Sequence, residues 1–450
     1  MKKLLLASSV LGLLLPLTTV CRADAPPAPP AAAPAPAPVS NVFNVRDLGA
    51  KGDGTTDDTA AIQKALDKCG GTGGTVEFPA GNYWSGPLTL SSKTTVLLDT
   101  GATLWASTNQ ALYLKEGKGT NWLATTNSSD FNSFISGKKL TDLVFTGQGT
   151  IDGNGYAWWD EAEKARQKVS GYTLPRPNLI GLERCQNITL TGIKLANSMK
   201  FHFVPNECEN ITISNISITA PERAANTDGI DPGNCENVTI THCLFDTGDD
   251  DIAIKSTKKL KTREFGCENL TVTDCTFKHG HGMSIGSETV GGVRNLLVKN
   301  CTFENTDNGL RIKSRRGKGG IVQNITYTDI TMTNCHPAIS IVAYYQDSTR
   351  AMYPKDDPGQ PMTNTTPIFR DIHIANVTGN STIEAGLLVG LPESVVSNVV
   401  FENVTLSGKQ GLIIANARAV QFKDCHFTAD TGPGVVADKN AEVQGLPAVK

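Results

Sequence analysis

The stretch "TGDDDIAIKS" sets Asp249, Asp250 and Asp251 side by side ahead of an alternating apolar strand. Adjacent carboxylates repel one another, so such a run belongs either to a solvated turn or to a site that uses concentrated negative charge. Three further stretches carry side chains of chemical use: "NTDGID" from Asn226 to Asp231, "GHGMSIGS" with His281, and "RIK" with Arg311 and Lys313. Clustered acids can hold a protonated acid and an ionised base within one site. A guanidinium and an ammonium beside them can hold an anionic ligand that the acids alone would repel. Taken singly, each stretch also reads as an Asx turn, a loop histidine or a solvated basic loop. Their register decides, and register depends on the elements that carry them.

Those elements repeat. "CQNITLTGIKL", "CENITISNISI", "CENVTITHCLF", "CENLTVTDCTF", "VRNLLVKNCTF", "VQNITYTDITM", "FRDIHIANVTG" and "VSNVVFENVTL" each begin with a polar turn residue and then alternate apolar with polar. The turn residues are Asn187, Asn210, Asn237, Asn269, Asn295, Asn324, Asp371 and Asn398, and the first five gaps are 23, 27, 32, 26 and 29 residues. A period in the twenties with period-2 alternation and one Asn per repeat predicts an all-β fold. It is a single right-handed parallel β-helix in which each repeat is one coil and the Asn side chains stack. Asn210 to Asp228 is 18 residues, Asn237 to Asp249 and Asp250 is 12 and 13, and Asn269 to His281 is 12. Asn295 to Arg311 and Lys313 is 16 and 18. The acids, His281, Arg311 and Lys313 therefore share one face over about four coils, roughly 15 Å at the inter-strand spacing. That length suits a polymer laid across the coils.

Upstream, "DDTAAIQKALDKCG" reads as a short capping helix, opened by Asp57 or Asp58 and closed by Gly70, that covers the end of the core. Cys185, Cys208, Cys235 and Cys267 lie two residues before a turn Asn, and Cys243, Cys275 and Cys301 lie six after one. Stacking makes these two columns of small apolar side chains. Disulfides are the minority reading, and no CxxC or His-rich spacing supports zinc. Asn-x-Ser/Thr sequences such as "NITL" resemble glycan acceptors, but an inward or stacked Asn cannot carry a glycan.

The chain of 450 residues has a net charge of −3, so its balance points neither to nucleic acid nor to an anionic membrane. Its first residues, "MKKLLLASSVLGLLLPLTTVCRADAPP", have the basic, apolar and small-residue order of a secretory signal. Cleavage after Ala23 leaves residues 1–23 as signal and 24–41 as a Pro/Ala-rich linker, with the β-helix over 42–450. Cys21 follows Val20 where lipid attachment prefers a smaller residue, so it leaves with the signal. No later run approaches the roughly 18 apolar residues of a spanning helix. A secreted protein, extracellular or periplasmic, is expected, and a monomer.

"NTDGID", "GDDDIAIKS", "GHGMSIGS" and "RIK", in this order, resemble the four motifs of the polygalacturonases, glycoside hydrolase family 28. The resemblance runs from "FNVRDLGAKGDGTTDD" at Phe43 through "GTIDGNGYAWWD" to the last coils near Phe427, nearly all of the mature chain. It departs at Asp251, where the family often has Cys. The resemblance implies hydrolysis of pectate, a polyanionic polysaccharide, by inversion and without metal or cofactor. It makes Asp249 the general acid, with Asp228 and Asp250 holding and deprotonating water and mutual repulsion keeping a proton on the group. His281 would support the acid or the sugar hydroxyls. Arg311, Lys313, Tyr345 and Asn226 would bind substrate, Arg315, Arg316 and Lys318 would extend the anionic subsites, and Asp251 would stand aside. Endo action is favoured over exo because no large extra module is visible. A rhamnogalacturonan hydrolase, a calcium-dependent pectate lyase and a non-catalytic carbohydrate-binding solenoid are the alternatives.

Overall fold

The computed structural model describes residues 41–125, 127–168, 174–345, 354, 356–438 and 440–446. The expected signal and all of the linker but Asn41 lie outside them. Every strand pairing between named strands is parallel, and the strands form sheets of 23, 4 and 7. Successive coils align in register: Ile188 beside Ile211, Val238, Leu270, Leu296, Ile325, Ile372 and Val399. The chain is a right-handed parallel β-helix. Inside it, identical positions stack on themselves, as in the Phe245, Phe277 and Phe303 rings at 5.1 and 4.4 Å.

The turn residues sit where the coil bends. Asn187, Asn210, Asn237, Asn269, Asn295, Asn324, Asp371 and Asn398 all have φ between 54 and 59°, a left-handed conformation that Asn and Asp tolerate better than other side chains. Their amides form a ladder, Asn210 to Asn187, Asn237 to Asn210 and Asn269 to Asn237, each at 3.1 Å. This ladder is on the outside of the stack rather than within it. The strand that follows must turn its first apolar residue inward, and that leaves the Asn exposed.

The first helix spans Thr59–Thr72 and buries Ile62, Ala65, Leu66 and Cys69 against the first strands. Asp57 receives the Thr59 amide at 3.0 Å, whereas the Asp58 carboxylate turns away to the amides of Lys51 and Gly52. The helix passes through Gly70 and stops two residues later at Thr72. Gly73, at φ 78°, closes it with its N–H on the Cys69 carbonyl. A second helix, Tyr156–Lys168, gave no periodic signal. It buries Trp158 among Tyr113, Trp122 and Phe131, which anchors the loop between residues 108 and 136.

The ten cysteines from Cys69 to Cys425 are free thiols, nine of them buried. In both columns all but Cys267, which donates to the carbonyls of Pro232 and Lys255, donate the S–H to the carbonyl two residues earlier. Examples are Cys208 to Asn206, Cys243 to Thr241 and Cys275 to Thr273, at 3.5, 3.2 and 3.1 Å. No described helix is long and apolar enough to cross a membrane.

Most strands alternate buried with half-exposed residues, as Glu236–Thr241 does. The seven-stranded sheet does not. In Ile252–Ile254, Met283–Ile285, Leu310–Lys313 and Ile339–Val342 every residue is buried. Its outward side chains therefore lie at the floor of a recess, and the candidate residues are there.

Candidate functional site

Four neighbouring coils deliver the site. The segment from Asp228 to Gly233 contains Pro232, which has no N–H to donate. It joins its neighbours only by isolated bridges, Ile230 to Phe203 and Ile252, and Gly233 to Asn206 and Lys255. Backbone bonds then fix the rungs: Gly229 N–H to Asp250 O at 2.9 Å, and His281 N–H to Asp249 O at 2.7 Å. Glycine is needed at Gly282 in "GHG": its φ is 65°, and an added Cβ would meet the Asn308 carbonyl at 1.9 Å. Ser284, Arg311 and Ser340 continue in register on the following strands.

Asp249 is the most accessible of the three candidate acids, its side chain 20% exposed against 4% for Asp228 and 3% for Asp250. It accepts from the backbone N–H and the amide Nδ2 of Asn226 at 3.2 and 3.4 Å, and His281 Nδ1 lies 3.1 Å away. The other imidazole nitrogen is 3.2 Å from Asp307. Asp250 accepts from Lys313 at 2.7 Å and Ser284 at 2.9 Å, with Arg311 at 3.8 Å. Asp228 accepts from Lys255 at 3.2 Å, and its second oxygen is buried with no partner. Asp251 is fully buried and takes its bond from Thr247 at 2.8 Å instead of joining the cluster.

The charges sort the carboxyls. Burial pushes Asp249 up, but the His281 cation and its hydrogen bond outweigh burial and hold the carboxyl well below the usual range. Burial likewise opposes the imidazolium, yet Asp249 and Asp307 raise His281 to about 10. Asp250 is raised by burial and brought below its ordinary value by Lys313 and then Arg311. Asp228 goes the other way, well above the usual carboxylate range, through burial and the nearby Asp231. The upward push therefore falls on Asp228, where burial comes ahead of repulsion, and not on Asp249. The reason is that His281 outweighs burial at Asp249, whereas Lys255 does not outweigh it at Asp228.

Arg311 and Lys313 flank the acids, and both lie near the ring of Tyr345, at 5.6 and 5.1 Å from its centre. Their neighbours are already occupied. Arg316 pairs with Glu393 and Asp357 at 2.6 and 2.8 Å, and Lys318 with Glu288 at 2.8 Å, so neither has a free charge for a ligand. Tyr344 donates to Asp357 at 2.7 Å, which separates its role from that of Tyr345.

Several residues of the site escaped sequence reasoning. Lys255 bridges Asp228 and Asp231; its signal was a lysine at the end of an otherwise buried strand. Arg176 is buried and donates to the Asn226 side-chain oxygen at 3.0 Å, which turns the Asn226 amide nitrogen toward Asp249. It comes from a connecting segment 50 residues earlier, where nothing in the repeat marks it. His202 lies beneath Asp228, bonded to its carbonyl at 3.0 Å, and burial lowers it to about 4, so it is neutral.

Asp249, Asp250 and His281 offer ligand atoms within 4.8 Å of one another. A metal cation would have to displace the His281 proton and the Lys313 ammonium, both of which compete for the same oxygens.

The sequence profile of glycosyl hydrolases family 28 matches residues 69–425. An endo-polygalacturonase of Pectobacterium carotovorum subsp. carotovorum is 37% identical over 300 residues, covering 64% of this chain and 72% of its own length. A probable polygalacturonase of Vitis vinifera is 32% identical over 438 residues, 89% of this chain and 83% of its own length. Among solved structures, the family 28 exopolygalacturonase of Yersinia enterocolitica matches with a TM-score of 0.74 at 26% identity, over 90% of this chain and 78% of that one. Coil stack, profile and relatives agree over most of the chain: it is a glycoside hydrolase and belongs to glycosyl hydrolase family 28.

Proposed function

We propose that this chain is a secreted polygalacturonase that hydrolyses the α-1,4-galacturonosidic bonds of pectate with inversion. The observation that carries the reading is the position of Asp249. It is the most accessible acid, it rests against His281, and it stands beside Asp250, flanked by Arg311 and Lys313, and Asp228, paired with Lys255. An anionic sugar polymer needs both signs of charge here, cations for its carboxylates and acids for its glycosidic oxygen. Its names among relatives, an endo-polygalacturonase and an exopolygalacturonase, support the same substrate.

In this reading Asp249 protonates the leaving oxygen, drawing on the proton it shares with His281. A uronate bound nearer to Asp249 than to His281 raises the carboxyl more than the imidazolium and so favours moving that proton onto the carboxyl. Asp228 and Asp250 hold and deprotonate the attacking water, and the unpartnered buried oxygen of Asp228 is an acceptor ready for it. Arg311, Lys313, Tyr345 and Asn226 hold the sugar. The chain works as a monomer outside the cytoplasm, without metal or cofactor, and cuts internally.

Polygalacturonate treated with the protein in the presence of a calcium chelator tests this. New reducing ends with no ultraviolet-absorbing unsaturated product support hydrolysis, and the first anomer formed, read by NMR, tests inversion. Unsaturated products would make it a lyase. Early products of many lengths support endo cutting, whereas a single short product means exo cutting.

A further inference from the structure

Arg311 and Lys313 stand on coils that follow the acids. On the other side, the coil carrying Phe201 and His202 pairs directly with the Asp228 coil, His202 N–H to Asp228 O at 2.9 Å and Phe203 N–H to Gly229 O at 3.0 Å. Lys200 lies half-buried on this coil. Its ammonium donates to Ser128 Oγ at 3.0 Å, a hydroxyl brought in by the loop between residues 108 and 136. It lies 4.5 Å from the centre of the Phe201 ring, and Lys255 reaches the same ring at 4.3 Å. Lys255 is neutralised by Asp228 and Asp231. Among the described residues Lys200 has no carboxylate within ion-pair reach.

Burial, then Arg176 and Lys255, lower the Lys200 ammonium to about 8. A cation kept in a recess against burial and two like charges, with a hydroxyl and a ring in contact and Asp228 and Asp231 acting only from a distance, is suited to an anion from outside. The hydroxyl adds a second donor, enough to take both oxygens of one carboxylate.

We propose that Lys200 and Ser128, backed by Phe201, bind the carboxylate of the uronate residue on the side of the scissile bond opposite to Arg311 and Lys313. The inference rests on the pectate reading and adds a second charged subsite to it. Every residue of such a polymer carries a carboxylate, so a chain laid across the acids meets a cation on each flank. Cleavage then selects a bond with a free acid on both sides.

The test compares the wild type with Lys200→Gln and Lys200→Arg on polygalacturonate and on a partly methyl-esterified pectin. Lys200→Gln should raise KM on polygalacturonate about tenfold, the scale of one charge-assisted contact, with kcat and Tm close to wild type. The penalty should shrink on the esterified substrate, and Lys200→Arg should recover much of the loss. Active wild type with an unchanged KM in Lys200→Gln, or equal losses on both substrates, overturns the subsite alone. Wild type that releases no reducing ends from polygalacturonate overturns the substrate reading, and the subsite with it.

Discussion

Nδ1 of His281 lies 3.1 Å from Oδ1 of Asp249, so the carboxyl proposed to give up a proton rests against a cation in the free protein. In the proposed mechanism acid and histidine act as one proton-holding unit, and substitution of either should reveal the other.

Asp249→Asn keeps the shape of the side chain and has no proton to give. Turnover should fall by at least about 10² to 10⁴, the scale of lost acid catalysis, while oligogalacturonate binding stays near wild type. Activity within about tenfold of wild type would move the acid to another residue.

His281→Asn tests the pair through stability. Folding raises the His281 pKa to about 10, so its contribution is complete below the unfolded value near 6.5 and disappears as pH rises through about 10. Urea unfolding should show the variant weaker by roughly 1 kcal/mol near neutral pH, after discounting for solvent screening at this partly open site. The two proteins should converge above about pH 10. A constant gap across that range would deny the ion pair.

Asp228→Asn should abolish activity and yet stabilise the fold. The Asp228 pKa is raised by burial and by Asp231, so its ionised form costs stability above the folded pKa and none below the ordinary value near 3.9. A gain of about 1 kcal/mol near pH 8 that fades toward pH 4 is expected in thermal unfolding. A loss of stability at pH 8 would refute the strained-acid assignment.

Lys313→Ala removes one partner of a buried pair, because its ammonium holds Asp250 at 2.7 Å. The cost to stability should be about 3–5 kcal/mol, larger than for a surface contact. KM should rise, and that part should shrink on methyl-esterified substrate, while a fall in kcat from the stranded Asp250 should persist on both. An unchanged Tm would separate Lys313 from Asp250 in solution.

Asn237→Ala and Asn237→Gly divide the outer ladder into its two contributions. Asn237 has φ 56° and bonds with Asn210 and Asn269 at 3.1 Å each. Alanine loses both the bonds and the tolerance of a left-handed conformation, whereas glycine loses chiefly the bonds. Alanine should therefore be the less stable by about 1 kcal/mol in chemical unfolding. Equal stabilities would mean that the turn conformation carries no strain.

The fold was legible because every coil repeats the same demand, an Asn or Asp at a left-handed bend followed by alternation. Asp228, Asp249, Asp250, His281, Arg311 and Lys313 were legible because a solenoid converts spacing along the chain into position across it. What stayed hidden does not repeat. Arg176 and Ser128 arrive from irregular segments whose path no period describes, and the pairing of Arg316 with Glu393 spans 77 residues. The end of the first helix was misplaced because glycine permits a stop without compelling one. Gly70 and Gly71 stay helical, and Gly73 turns the chain.

The recess lined by the buried strands Ile252–Ile254, Met283–Ile285, Leu310–Lys313 and Ile339–Val342 makes the coil the unit of change. Each coil contributes one rung, and the same backbone pairing joins every coil to the next. A duplicated coil spliced in after the His281 strand would leave the core continuous while carrying Arg311 and Lys313 about 4.8 Å further from Asp249. The chemistry and the grip on substrate would then be out of step by one strand spacing. Such a lineage could shift the length of polymer it measures without altering a single catalytic side chain.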